Sequence, residues 1–144
     1  MYLIGNGGSS AVADHIANDL VKRCNVRASS LTNFAVSSTM ANDYSWEDVF
    51  AKQLEVLAMA GDMLVAISSG GRSPNIIRAV AAFKFAKMGS EAPVVTLSAF
   101  DIDNPLRWMG SLNIWCDTKR YGIAETAHQA ILHMAADLLA GDGK

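Results

Sequence analysis

Charge is scarce in this chain. Asp, Glu, Lys and Arg make up 18% of its 144 residues against 51% for hydrophobic types. A sizeable core can be buried, and part of the surface is expected to face another subunit. The net charge of −2 comes without clustered Lys and Arg, which argues against nucleic acid or an acidic membrane as partner. No apolar run approaches the roughly 18 residues of a membrane span. Nor does the N-terminus show a basic region followed by a small-residue cleavage site, so a cytoplasmic location is expected. Cysteine is equally sparse: Cys24 and Cys116 have no CxxC or finger-like spacing. They read as reduced, partly buried thiols rather than a disulfide or a zinc finger. No linker, low-complexity run or short-period repeat divides the chain, and residues 1–144 read as one domain.

What the chain does have is a strand, a glycine turn and a helix at its start. The apolar run Tyr2 to Ile4 breaks into Gly5, Asn6, Gly7 and Gly8, then Ser9, Ser10 and a helical pattern through Arg23. Glycines let the turn bring backbone N–H groups close to a ligand. Ser9 and Ser10 are expected N-caps, and a helix start behind them attracts an anion. Val12, Ile16 and Leu20 form the apolar stripe of this helix with Ala13 and Ala17 beside it, and His15 and Asp19 lie four apart at its edge.

Further on, Val26 to Leu31 reads as a second strand, and Thr32 or Asn33 caps a short helix from Phe34 to Ala41 that Asn42 and Asp43 interrupt. Ser45, with Asp48 as an imperfect capping box, starts a helix from Trp46 to about Met59 that buries Val49, Phe50, Leu54 and Leu57 and ends at Gly61. Asp62 to Ile67 is a continuous apolar strand of the parallel-sheet kind. It opens into a second turn, Ser68, Ser69, Gly70, Gly71, Arg72 and Ser73, with Pro74 at the first turn of a helix reaching Met88.

Ala92 to Leu97 and Leu112 to Cys116 are further strands. Phe100 to Gly110 reads as irregular because of Pro105, and the last helix, Ile123 to Leu139, is expected to bury Ala127, Ile131, Met134 and Leu138. Trp46, Trp108 and Trp115 read as packing groups, the seven methionines as core filling, and Asp14 and Asn18 as solvated. Strands alternating with helices imply a parallel α/β sheet with right-handed crossovers and ligands bound beyond the carboxyl ends of the strands.

The segments GNGGSSAVADHIANDL, MANDYSWEDVFAKQLE, GDMLVAISSGGRSPNIIRA and YGIAETAHQAILH, in this order and spacing, resemble sugar isomerase (SIS) domains, above all those of the phosphoheptose isomerase type. The resemblance spans nearly the whole chain. It implies a three-layer α/β sandwich with a five-stranded parallel sheet of flavodoxin-like topology, without the helix that usually precedes the first strand. It also implies a homotetramer with active sites shared between subunits and bound zinc, with no nucleotide cofactor. The implied activity is interconversion of sedoheptulose 7-phosphate and a heptose 7-phosphate in the cytoplasm. The alternative is a non-catalytic SIS module that binds a phosphosugar or a protein.

Carried over residue by residue, the resemblance implies phosphate held by Ser68, Ser69 and Ser73, and the sugar lined by Asn6, Gly7, Gly8, Asn42 and Asp43. The family's turn commonly reads ISTSGNSPN; Gly70 and Arg72 replace a serine and an asparagine, and Arg72 is expected to supply charge in place of the missing hydroxyl. Aldose–ketose isomerisation needs a base for the C–H proton and a group to handle the carbonyl oxygen. The matching positions are Asp19 as base and His133 as acid. Asp19 stands where the family has glutamate, and its reach is shorter by roughly 1.5 Å. The family's zinc ligands fall on His15, Asp19, Glu125 and His133, with Glu125 where glutamine is common. Gln129 shares a face with His133, and His128 is expected to be a subunit contact or to lie just behind the site.

Overall fold

The computed structural model describes residues 1–85 and 92–141. Five parallel strands run β1 (Tyr2–Gly5), β2 (Ser29–Ser30), β3 (Leu64–Ser68), β4 (Val94–Ser98) and β5 (Leu112–Trp115), in spatial order β2-β1-β3-β4-β5. This is the expected flavodoxin-like order. The chain steps from β1 to β2 on one side, then crosses to β3 on the other. The carboxyl ends of β1 and β3 are therefore neighbours at the point where strand order reverses, and both glycine turns leave from there. Gly5 pairs with Ile67 at that end of the sheet.

Alternation along the strands divides the core. Leu3, Val65, Ile67 and Leu97 face α1 (Gly8–Cys24) and α5 (Tyr121–Ala140), while Ile4, Leu64 and Ala66 face α3 (Val49–Leu57) and α4 (Pro74–Phe83). α2 (Phe34–Asp43) lies beside α3. The stripe expected on α1 is buried residue for residue.

Elsewhere the structure corrects the sequence reading. α1 begins at Gly8, with Gly7 at φ 54° as its N-cap and no side-chain cap, so Ser9 and Ser10 lie inside the helix. Asn42 and Asp43 end α2 rather than interrupt it, and its cap is Asn33, whose side chain accepts from the Val36 N–H at 3.2 Å. The Trp46 helix is one 3-10 turn, Trp46–Asp48, followed by α3, which stops at Leu57, short of Gly61. β2 keeps only two of the six residues expected, because as an edge strand it has only the short β1 to pair with. Pro105 begins a 3-10 turn, Pro105–Trp108, where its missing N–H costs nothing, and Asn104 caps it. α4 is described to Phe83, and Met88 lies outside the described residues.

The largest correction is on α5. Its buried residues are Ala124, His128, Leu132 and Ala136, whereas Met134 is 64% and Leu138 74% exposed. Small residues let α5 lie close to α1, and the bulkier apolar side chains point outward. His128 is fully buried within its own subunit rather than held at a subunit contact. Trp46 and Trp108 are exposed rather than packed in the core, and the Arg107 guanidinium lies 5.2 Å from the rings of both Trp108 and Trp115. Leu57 is also partly exposed. Both cysteines are free, and burial pushes the Cys116 thiol above its ordinary value. Asn18 and Asp14 are exposed as expected, although Asp14 accepts a short hydrogen bond from the Thr32 hydroxyl.

Candidate active site

The two turns are shaped by backbone constraints that only glycine meets. At Gly5 a Cβ would fall 2.5 Å from the Ser9 carbonyl oxygen, so the strand can fold straight back into α1 only without a side chain. Gly71 sits at φ 61°, and a Cβ there would overlap the Asn104 amide. Asn104 is itself fixed by donating to the Ser98 hydroxyl at 3.2 Å and the Asp101 carbonyl at 2.7 Å. Thus β4 braces the turn that follows β3.

Between the turns is a cleft of about 480 Å³. Asn6, Gly7, Gly8, Ser68, Ser69, Arg72 and Ser73, all expected at the site, line it together. The Ser68 and Ser73 hydroxyls are 3.2 Å apart. Ser69 is 5% exposed, and its hydroxyl has no hydrogen-bond partner among the described residues, an unusual state for a buried polar group. Asn6 and Asn75 exchange amide hydrogen bonds at 2.9 and 2.8 Å, tying the first turn to the start of α4. Arg72 reaches Asp101 at 3.1 Å, both side chains more than half exposed, so this pair contributes little to stability. Gly70 leaves open the space a serine side chain would fill.

The imidazoles and the expected base form a second group beside the cleft. Asp19 Oδ2 is 3.5 Å from His15 Nε2, 3.3 Å from His133 Nδ1 and 3.8 Å from the Arg23 guanidinium. The two imidazole rings meet edge to face, 5.0 Å between centroids. The His133 tautomer that donates from Nδ1 to Asp19 leaves Nε2 to accept from the Gln129 amide at 3.3 Å. Ligand atoms of His15, Asp19 and His133 lie within 4.8 Å of one another, a set able to hold a metal ion.

Glu125 is not in this group. Glu125 stands about 12 Å from His133 along α5, a span that the two side chains cover only by reaching toward each other. The Glu125 carboxylate instead lies against Gly8, where an added Cβ would overlap it. It lines both the serine-lined cleft and a neighbouring cleft that contains His15 and Gln129. Asn42 and Asp43 are brought to neither cleft: they are exposed at the end of α2, with Asn42 donating to Asp43 at 2.9 Å.

Ser9 and Tyr121, which also line the serine cleft, and Asn75, the partner of Asn6, were missed in the sequence. Asn75 follows Pro74 directly in the turn motif, the one signal that could have found it. His128 Nε2 bonds the Ser98 carbonyl at 3.1 Å, and desolvation holds its pKa below the ordinary imidazole value, partly opposed by that hydrogen bond and by Glu125.

Residues 1–95 match the SIS domain family. The chain belongs to that family. Among its curated SIS relatives are two phosphoheptose isomerases. That of Trichlorobacter lovleyi is 30% identical, with 96% of this chain and 71% of the relative covered. That of Aromatoleum aromaticum is 34% identical, covering 92% and 69%. Among solved SIS structures, the phosphoheptose isomerase of Neisseria gonorrhoeae superposes with a TM-score of 0.84 at 29% identity, covering 96% of this chain and 75% of that one.

Proposed function

We propose that this SIS-domain protein is a phosphosugar isomerase that interconverts sedoheptulose 7-phosphate and a heptose 7-phosphate. Its relatives named phosphoheptose isomerase support the reaction. The observation that carries the proposal is the Ser69 hydroxyl, buried at the cleft without a partner. An unpaired buried hydroxyl costs stability, and a phosphate oxygen gives it an acceptor. Ser68 and Ser73 add donors, the start of α4 adds partial positive charge, and Arg72 adds a full one once it leaves Asp101. The cleft volume lies within the range of small-molecule sites.

The sugar then extends from the phosphate along Asn6, Gly7 and Gly8 toward the groups able to move protons: Glu125 at the cleft wall, with Asp19 and His133 behind it. Two imidazoles and a carboxylate suit zinc, as three protein ligands with a position left for water or substrate. His15, Asp19 and His133 would hold the ion, one per subunit, and there it would act as a Lewis acid toward the substrate's oxygens. The exposed apolar side chains of α5, with Phe34, Val56 and Met59 on the opposite layer, support assembly of several copies, a tetramer in our reading. In such an assembly Asn42 and Asp43 serve a neighbouring copy's site. No helix among the described residues is long and apolar enough to cross a membrane, and we place the protein in the cytoplasm.

The test is conversion of sedoheptulose 7-phosphate by the full chain, with and without added zinc, followed by chromatography of aldose and ketose. Product formation supports the proposal. Binding without conversion in both conditions refutes the enzyme and favours a phosphosugar-binding module.

A further inference from the structure

We propose that His128 is a positioning residue for the phosphate cradle: through the peptide unit that joins Ser98 to Ala99, it sets where Ser69 stands in the cleft. The proposal rests on the phosphosugar reading above and goes beyond it by naming what holds the cradle in place from behind.

The face that α5 buries is otherwise Ala124, Leu132 and Ala136, and His128 is among them with no exposure at all. Its Nδ1 has no hydrogen-bond partner among the described residues, a cost that a leucine in the same place would not carry. What the imidazole gains is one contact, from Nε2 to the Ser98 carbonyl at 3.1 Å. A carbonyl only accepts, so the hydrogen is on Nε2 and Nδ1 is bare. That carbonyl already accepts from the Cys116 N–H at 2.9 Å. The imidazole is therefore not needed to satisfy it. Its effect is to fix the direction of the carbonyl from the helix layer as well as from the end of β5.

The same peptide unit reaches the cleft from its other side. Its N–H, that of Ala99, donates to the Ser69 carbonyl at 2.8 Å. Because the peptide is planar and trans, its C=O and N–H point in opposite directions and turn together. An imidazole that fixes the carbonyl thereby fixes the N–H, and with it the backbone of the residue whose hydroxyl is buried at the cleft. The two hydrogen bonds also polarise each other through the unit they share. Ser98 adds a further brace: its hydroxyl accepts from the Asn104 amide at 3.2 Å, and Asn104 lies against Gly71, two residues beyond Ser69. Helix α5 thus holds the phosphate turn through the end of β4, from the side away from the ligand.

The test is a double-substitution cycle between His128→Leu and Ser69→Ala in the full chain, with His128→Gln as the conservative variant. Glutamine carries an amide N–H at the reach of Nε2, whereas leucine fills the space without a donor. Affinity for sedoheptulose 7-phosphate is read by calorimetry. His128→Leu alone is expected to weaken it by about 10-fold or more, and His128→Gln by less than about 3-fold. In the Ser69→Ala background, His128→Leu is expected to cost less than about 3-fold more, because its effect passes through a hydroxyl that is already gone. Equal losses with and without the Ser69 hydroxyl overturn the proposal and make His128 a packing residue only. So does a loss under about 3-fold in His128→Leu, or one as large in His128→Gln as in His128→Leu. Should His128→Leu not fold, the cycle is run with His128→Asn, whose shorter side chain places its amide where Nδ1 stands, short of the Ser98 carbonyl. If the unsubstituted protein binds neither sedoheptulose 7-phosphate nor inorganic phosphate, the phosphosugar reading itself fails.

Discussion

Replacing Gly8 by alanine isolates the position of Glu125 from its chemistry. The backbone at Gly8 lies outside the left-handed region, so alanine is free of backbone strain there, and the three atoms nearest the new Cβ all belong to the end of a flexible side chain. It would fall 2.5 Å from Glu125 Oε1 and closer to the other two carboxylate atoms. Ordinary van der Waals separation is restored when the carboxylate retreats by about 1 Å. A displacement of that size in a side chain that lines the site costs on the order of 100-fold in rate, or about 2.7 kcal/mol of barrier. Folding should not suffer: alanine in a helix is favoured over glycine by up to about 1 kcal/mol. The expected signature is therefore slowed proton exchange on sedoheptulose 7-phosphate with an unchanged or slightly raised Tm, read by NMR in D2O and by calorimetry. Exchange within 3-fold of the unsubstituted protein would refute the reasoning, because the seat of the carboxylate on Gly8 would then not matter to the reaction. A fall in Tm of more than about 5 °C would refute it differently, by showing that Glu125 is not free to move.

Ser69→Ala removes a buried hydroxyl that has no partner among the described residues, so its Tm is expected to stay level or rise. Sedoheptulose 7-phosphate binding is expected to weaken by about 10-fold or more, the worth of one hydrogen bond to a charged oxygen, as read by calorimetry. His128 titrates below its ordinary value of about 6.5 in the folded chain, so the unfolded chain binds the extra proton first. Its contribution to stability is complete above that pH and declines as pH falls below it. Urea midpoints measured from pH 7.5 to 5.5 should fall less steeply for His128→Gln than for the unsubstituted protein.

What could be read from the sequence was what one local pattern decides. The α1 stripe was legible because Val12, Ile16 and Leu20 are large, evenly spaced and faced across the helix mostly by polar residues such as Asp14, Asn18 and Lys22. The cleft was legible because two glycine turns behind adjacent parallel strands have nowhere else to go. α5 misled for the same reason that α1 did not. It is apolar nearly all round, and the face it buries consists of alanines, one leucine and a histidine. Periodicity cannot choose between such faces; a hydrogen bond from His128 to the end of β4 does. The helix cap misled because Gly7 takes up the positive φ at the entry to α1, leaving Ser9 and Ser10 nothing to cap.

The rotation of α5 also decides where the acids sit. With His128 turned inward to Ser98, residues on either side of it fan out by about 100° per position. His133 comes down beside Asp19, and Glu125, two turns earlier, comes down over the first turn of α1. The two carboxylates thus meet different demands at different heights. Asp19 sits where imidazoles and a guanidinium converge, and a short side chain keeps its charge among them. Glu125 starts on a separate helix and must cross to the floor of the cleft, which takes a longer side chain and a floor residue without a Cβ. Aspartate at one place and glutamate at the other, with glycine at position 8, are therefore three parts of one arrangement around the two clefts.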